Sequence, residues 1–325
     1  MASTLQNRDL LTGSVPKQLI AFSLPFLAAN VLQSVYAVVD MIIVGQFVGS
    51  AGLSGVSIGS QIASLFTSTG MGLSMGGQMM LAQFKGAGDE KAQRESIGTM
   101  LSFMILLGIL LAIPCIFLAK PLLTLLRTPG ESYRDAYWYF IISALGIVFI
   151  FGYNSVCAVL RGLGDSKRPM YFVGISTVTN ILLDLLFVGV MKKGAGGAAA
   201  ATIIAQGISF LTASVYLYLH RESFVFDFKR ESFKIIGTRL KTMLKVGVPF
   251  ALQFSMLMIS MLFVVALVNG FGVSASAGYG VGGKVDNFAT LPVYAFSSAA
   301  STMVGQNIGA KQYDRARSVV HWCVV

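Results

Sequence analysis

The sequence predicts an all-α polytopic membrane protein, and three observations carry that prediction. Of the 325 residues, 55% are hydrophobic and only 12% are charged, about half the charge of a soluble domain. Residues 18–84 contain one charged side chain, Asp40, over a length that suffices for two bilayer crossings of about 20 residues each. Lys and Arg otherwise recur in short clusters between long apolar runs, as expected for membrane helices joined by loops.

Apolar runs between these charge clusters predict eight membrane helices. They cover residues 17–46, 53–84, 96–119, 133–161, 168–191, 196–219, 242–270 and 275–309. We expect the first helix to serve as the targeting signal, because Met1 to Pro16 is polar and lacks the apolar core of a cleavable signal peptide. The residues from His321 to Val325 are typical of the start of a ninth helix.

Basic residues are divided unevenly between the two sides of the predicted bundle. Eighteen of the 24 Lys and Arg residues fall on the side of the N-terminal tail and five on the opposite side. By the positive-inside rule, we expect a multi-pass protein of the inner (plasma) membrane with a cytoplasmic N-terminus. The net charge of +10 is then a topology signal, and no nucleic-acid partner is expected because the basic residues are scattered over separate loops.

The chain contains an internal repeat. Pro25-Phe26 recurs as Pro249-Phe250, and the segment 83–87 (QFKGA) recurs as 306–310 (QNIGA). The repeat predicts an N-lobe of six helices at 1–221, a cytoplasmic connection at 222–241, and a partial C-lobe at 242–325. A second set of six helices would need four more than this sequence contains, so the second lobe is expected to be truncated.

Two isolated aspartates lie inside predicted membrane helices. Gln33 and Tyr36 share one helical face with Asp40, and on the helix 168–191 Thr177 and Asn180 share a face with Asp184. A carboxylate in a bilayer costs about 2.5–3.5 kcal/mol on insertion scales and is retained mainly where it serves an ion or proton path. If both aspartates face one pocket, that pocket can exchange protons or hold a small cation. Neutral oxygens and amides come from Asn154, Thr202 and Gln206.

These motifs together resemble the multidrug and toxic compound extrusion (MATE) family, in particular its DinF-like branch. The resemblance covers the whole chain and is carried by Pro25-Phe26 with Val39-Asp40, by 83–92, by Arg161 to Pro169, and by 306–316. It implies twelve helices in two lobes and export of organic cations or drugs by alternating access, coupled to H⁺ or Na⁺. It also implies a cation-coupling site in the N-lobe, with Na⁺ as one candidate ion, formed by Asp40, Asn154, Asn180, Asp184 and Thr202.

The same resemblance suggests further roles. Gln33, Tyr36, Thr177 and Gln206 are expected to line the cavity, and Asp286 is a secondary cation candidate because the NorM branch uses acidic residues of the second lobe. Pro25 is expected to bend the first helix, since it lacks an N–H and clashes with the preceding turn. We expect no resident cofactor, membrane lipid and small organic cations as partners, and a monomer if full-length, although the fragment would need a complementing chain.

Three alternatives to a cation-coupled exporter stay open from sequence. A flippase for lipids or lipid-linked oligosaccharides shares the two-lobe plan but usually has a basic cavity, and an inactive truncated fragment is the second. An intramembrane aspartyl protease is disfavoured, because Asp165 in the string Gly162-Leu163-Gly164-Asp165 is followed at once by Ser166-Lys167-Arg168-Pro169 at the predicted cytoplasmic surface. We therefore expect a transporter and no enzyme.

Overall fold

The computed structural model describes residues 10–126, 128–269 and 273–324, and their regular secondary structure is helical, which confirms the all-α prediction. Within these ranges, ten α-helices follow one another: α1 Val15–Phe47, α2 Gly49–Gly86, α3 Glu90–Leu125, α4 Gly130–Leu145, α5 Ile147–Gly162, α6 Lys167–Asp184, α7 Gly194–Leu219, α8 Gly237–Asn269, α9 Val273–Gly309 and α10 Tyr313–Val324. A π-helical segment, Leu185–Val190, continues α6, and a short 3₁₀ helix, Arg230–Phe233, lies between α7 and α8.

Six of the eight predicted spans are long and apolar enough to cross a membrane within the described residues. They are α1, α3, α6 with its π-helical continuation, α7, the first 25 residues of α8, and the bent pair α4 and α5. The remaining two, α2 and α9, form at the predicted places and are as long, but they are rich in Gly and Ser. α2 contacts α4, α5, α8 and α9, so much of its surface faces protein and need not be apolar.

The segment predicted as one helix at 133–161 forms two helices in the structure. It is broken at Gly146 into α4 and α5, which meet at an angle of 48°. A Cβ atom on Gly146 would lie 2.1 Å from Ile203 Cδ1 on α7, so glycine lets the two helices approach closely at the bend. The apolar periodicity continues through the break, which explains why the sequence alone did not reveal it.

α1 packs against both parts of the molecule. Its first half, with Leu19, Phe22 and Phe26, forms a buried cluster with side chains of α9 and α10, including Met303 and Val319. Its second half packs against α2, α4, α7 and the π-helical segment through Ile43 and Val44. Pro25, which has no N–H to donate, lies close to the transition between these two environments.

The connection between α7 and α8 is docked onto α3. The Ser102 hydroxyl donates to the Phe233 carbonyl at 2.7 Å, and Ile236 N–H donates to the Thr99 hydroxyl at 3.1 Å. An ion pair of 2.9 Å joins Glu95 on α3 to Arg239 at the start of α8. Within the connection, the Ser232 hydroxyl donates to Asp227 and holds the pKa of that carboxyl below its usual value.

Candidate functional site

Asp40 and Asp184 meet inside the bundle. Asp40 comes from α1 and Asp184 from the end of α6, and their carboxyl groups lie close enough to interact electrostatically. Asp184 is fully buried and Asp40 is partly buried. An ionised carboxylate only accepts hydrogen bonds, so a hydrogen bond between the two groups would need a proton on one of them.

Asn180 joins this pair to α7. With its nitrogen towards Asp184 and its oxygen towards Thr202, the Asn180 amide donates to Asp184 Oδ2 at 3.0 Å and accepts from the Thr202 N–H at 3.3 Å. With the amide turned the other way, its nitrogen lies 3.3 Å from the Thr202 hydroxyl. The structure thus brings together four of the five residues predicted for cation coupling, and their role as ligands stays a prediction.

The backbone changes type directly after Asp184. α6 ends at this residue, and Leu185–Val190 follow as a π-helix. π-Helical turns inside α-helices occur frequently at functional sites, because the widened turn moves side chains away from their α-helical positions. Residues 180–188 contain no proline or glycine, so the prediction of one regular helix at 168–191 missed the change.

A small cavity beside Tyr36 is large enough for a water molecule. It is lined by Gln33, Tyr36, Tyr153, Val173, Ser176, Thr177 and Gln206. Gln33, Tyr36, Thr177 and Gln206 thus line one small cavity together, and their role in lining a substrate cavity stays a prediction. Tyr36 is also close enough to Asp40 and Asp184 for electrostatic interaction, which connects the cavity to the pair.

Several buried oxygens at this site have no hydrogen-bond partner among the described residues. They are Asp40 Oδ1, Asp184 Oδ1, Thr177 Oγ1 and Gln206 Oε1. Buried polar atoms are almost always paired in native proteins, so unpaired ones call for a water, an ion or a functional role. Carboxylate, hydroxyl and amide oxygens are suitable ligands for a hard cation.

Tyr139 is a site residue that sequence reasoning missed. It lies on α4, is 8% exposed, and is close enough to Asp40, Asp184 and Tyr36 for electrostatic interaction. Its ring packs over Gly59 of α2, where a Cβ atom would come within 2.9 Å of Tyr139 Cδ1. In the sequence Tyr139 lies among several aromatic residues at the end of a predicted helix, and that setting is typical of membrane-interface anchors.

Other predicted residues lie apart from the pair. Asn154 donates to the carbonyl of Ile150 on its own helix at 2.9 Å, so this hydrogen bond is local. Asp286 is exposed on α9, and its neighbours Lys284 and Asn287 have side chains outside the described residues. Asp165 accepts hydrogen bonds from the N–H groups of Lys167 and Arg168 at the start of α6, as expected for a capping residue at the surface.

Membrane-crossing helices around a buried pair of carboxyl groups are typical of a transporter. The chain belongs to the MatE family, whose profile matches residues 25–186 and 247–325. This confirms the family that the sequence motifs indicated, and the protein is a multi-pass membrane transporter.

Individual relatives agree with this membership. The chain is similar to the probable multidrug resistance protein YpnP of Bacillus subtilis, with 34% identity over 305 residues, covering 93% of this chain and 67% of YpnP. YoeA of the same organism, also named a probable multidrug resistance protein, is 33% identical over 312 residues, covering 94% and 67%. A solved transporter of the MOP superfamily from Pyrococcus furiosus has the same fold, with a TM-score of 0.91, 23% identity, and coverage of 98% and 70%.

Proposed function

We propose that this protein exports organic cations, including drugs, across the inner membrane in exchange for H⁺ or Na⁺. The observation that carries the proposal is that the Asp40 and Asp184 carboxyl groups, which come from different helices, lie close together inside the bundle. Relatives named as multidrug resistance proteins support drugs as the cargo. The uneven distribution of Lys and Arg supports a cytoplasmic N-terminus.

The carboxyl pair gives the site two occupancy states. With one proton between them, Asp40 and Asp184 share a hydrogen bond and hold one negative charge. When a second proton binds, the pair becomes neutral. When Na⁺ binds instead, the available ligands are the oxygens of Asp40, Asp184, Asn180 and Thr202. In either case the charge of the N-lobe site changes by one unit, and a neutralised site no longer attracts a cationic substrate.

Exchange of one monovalent organic cation for one proton moves no net charge across the membrane. Its driving force is then the pH gradient alone, about 1.4 kcal/mol per pH unit, which allows roughly tenfold accumulation per unit. A second proton would add about 2.3 kcal/mol per 100 mV of membrane potential. The number of ions therefore decides how steeply efflux responds to the membrane potential.

The two carboxyl groups favour cationic over anionic cargo. The water-sized cavity near them is lined by Tyr, Thr, Ser, Gln and Val side chains, with no Lys or Arg among its described residues. A flippase for anionic lipid head groups would need basic groups there to offset the charge of its cargo. This composition is the reason for preferring an exporter of organic cations over a flippase.

Transport measurements on carboxyl variants test the proposal. The chain is reconstituted into proteoliposomes, and ethidium transport is driven separately by a pH gradient and by a Na⁺ gradient. We expect one of the two gradients to drive transport, and Asp40→Asn and Asp184→Asn each to reduce it to background. Asp314→Asn is the matched control, because Asp314 is a fully exposed carboxylate on α10 and should leave transport unchanged.

Two outcomes would overturn this proposal. Undiminished transport in both Asp40→Asn and Asp184→Asn would remove the carboxyl pair as the coupling site. Preferential transport of an anionic lipid analogue over ethidium would instead support the flippase alternative. Equal membrane insertion and equal thermal stability of all variants must accompany the comparison, so that loss of transport reports coupling and not misfolding.

A further inference from the structure

α2 and α9 cross near their C-terminal ends, and their backbones come very close together at two glycines. A Cβ atom on Gly86 would lie 1.8 Å from the carbonyl oxygen of Gln306, and a Cβ atom on Gly309 would lie 2.0 Å from the carbonyl oxygen of Gln83. Distances below 3.0 Å from a backbone atom cannot be relieved by rotating a side chain. Both positions therefore require glycine for the helices to approach this closely.

The contact is reciprocal, and its members are the repeated motif itself. Gln83 and Gly86 belong to the segment 83–87, and Gln306 and Gly309 occupy the matching places in 306–310. The glycine of each copy lies against the backbone carbonyl oxygen of the glutamine in the other copy. The repeat, which the sequence presents as two separate segments, is thus one self-complementary contact between the N-terminal and C-terminal parts of the chain.

A buried polar network lies beside this crossing. Gln78 on α2 is fully buried; its amide nitrogen donates to the Thr302 hydroxyl on α9 at 2.8 Å, and its amide oxygen accepts from Arg161 Nε at 2.9 Å. A second connection joins α9 to the end of α5, where the Gln306 side-chain amide donates to the carbonyl of Gly162 at 3.0 Å. The Arg161 guanidinium also covers the Phe26 ring of α1, 5.1 Å from its centroid.

The chemistry of this network suits an interface that opens. Net stabilisation by a buried hydrogen bond is modest, about 0.5–1.5 kcal/mol, because water can replace each partner once the surfaces separate. The described contacts of this crossing lie near the C-terminal end of α2, from Gln78 to Gly86. Along α8 the close packing onto α2 reaches Ala251, opposite Gly72, whereas Leu252 and Met256 beyond it are exposed.

We propose that the α2–α9 crossing, formed by Gly86, Gly309 and the Gln78–Thr302 hydrogen bond, is a lock that closes the cytoplasmic end of the transporter. The lock breaks when the two lobes separate at that end to admit substrate. This inference rests on the proposed alternating-access function. It adds which residues hold the closed state and predicts that weakening them shifts the conformational equilibrium, whichever ion drives transport.

The test measures the separation of the lobes directly. Spin labels are attached at Lys91→Cys, at the start of α3, and at Gln312→Cys, just before α10, both exposed positions, in a variant of the full chain without native cysteines. Distance distributions are recorded in lipid nanodiscs by double electron–electron resonance. We expect a short closed population that gives way to a longer one when pH or Na⁺ concentration is changed.

Two pairs of variants then address the lock. Gly309→Ala should increase the ratio of open to closed populations by tenfold or more, whereas Gly282→Ala on the same helix should not, because nothing lies within 4 Å of a Cβ atom there. Thr302→Val removes the hydroxyl that accepts from Gln78 with little change in shape, and we expect a roughly fivefold shift to the open population. Thr302→Ser keeps the hydroxyl and should behave as the wild type.

The outcomes separate this inference from the proposed function. Unchanged distance distributions in Thr302→Val and in a folded Gly309→Ala variant would overturn the lock, and Thr302→Val decides the matter alone if Gly309→Ala does not fold. Failure of the coupling model would instead appear as normal transport in Asp184→Asn, which these distances do not measure.

Discussion

Asn180 and Asp184 lie one turn apart on α6, and with its nitrogen towards Asp184 the Asn180 amide donates to Asp184 Oδ2 across 3.0 Å. The same amide accepts from the Thr202 N–H of α7 at 3.3 Å, so one side chain orients the carboxyl and joins two helices. Because Asp184 ends α6 just before the π-helical segment, this hydrogen bond fixes the carboxyl at the place where the helix widens.

Replacing Asn180 should weaken the coupling site without removing its charge. Asn180→Leu takes away the donor to Asp184, and a hydrogen bond to a charged group contributes about 1.5–3 kcal/mol. We expect the ion concentration for half-maximal transport to change by about tenfold or more, as measured by ethidium transport against external pH or Na⁺. Val178→Ala, at a 60% exposed position on the same helix, is the control. An unchanged ion dependence in Asn180→Leu would contradict this role.

Tyr139→Phe should alter ion coupling while preserving the fold. The ring that packs over Gly59 remains, and only the hydroxyl near the carboxyl pair is lost. Loss of one such hydroxyl next to a buried charge should shift the ion dependence of transport by roughly tenfold. Thermal unfolding in detergent should match the wild type. Tyr137→Phe, on the same helix and stacked edge-on against Trp138, should change neither property, and an equal effect in both variants would contradict a specific role for Tyr139.

Pro25→Ala should make α1 more stable and transport slower. Proline inside a helix costs about 3 kcal/mol, because it removes a backbone hydrogen bond and clashes with the preceding turn. Alanine would restore a regular α1 across the boundary between its C-lobe and N-lobe contacts. We expect a higher unfolding temperature and reduced ethidium transport. Pro249→Ala at the matching place in α8 separates the specific effect of α1 from general helix stabilisation. Full transport in Pro25→Ala would show that α1 need not bend there.

Gly98→Ala should detach the α7–α8 connection from α3. A Cβ atom on Gly98 would lie 1.6 Å from the carbonyl oxygen of Ser232, a backbone atom that cannot rotate away. Overpacking of this kind costs about 1–3 kcal/mol. We expect a lower unfolding temperature and faster proteolysis within 222–236. Gly174→Ala on α6 is the matched control, because nothing lies within 4 Å of a Cβ atom there. Wild-type resistance to protease in Gly98→Ala would refute the docking.

Much of the fold could be predicted because a membrane restricts the secondary structure that an apolar segment can form. Long apolar runs must form helices that satisfy their own backbone, so the helices at 17–46 and 168–191 could be placed from hydropathy alone. Each of the two aspartates could also be singled out, since each is alone in its apolar run and shares a helical face with other polar groups. By contrast, the tertiary structure decides that Gly72 and Gly76 lie against Ala251 and Gly247 of α8.

Composition and short local motifs encode the helical class, the repeat, the family and the two isolated aspartates, and each of these can therefore be read along the chain. Helix packing adds that Asp40 and Asp184 lie close together, that Tyr139 approaches them from α4, and that the two copies of the repeat contact each other through Gly86 and Gly309. These relationships join helices far apart in the chain. Which faces meet depends on the packing of whole helices, and no local pattern of residues encodes it.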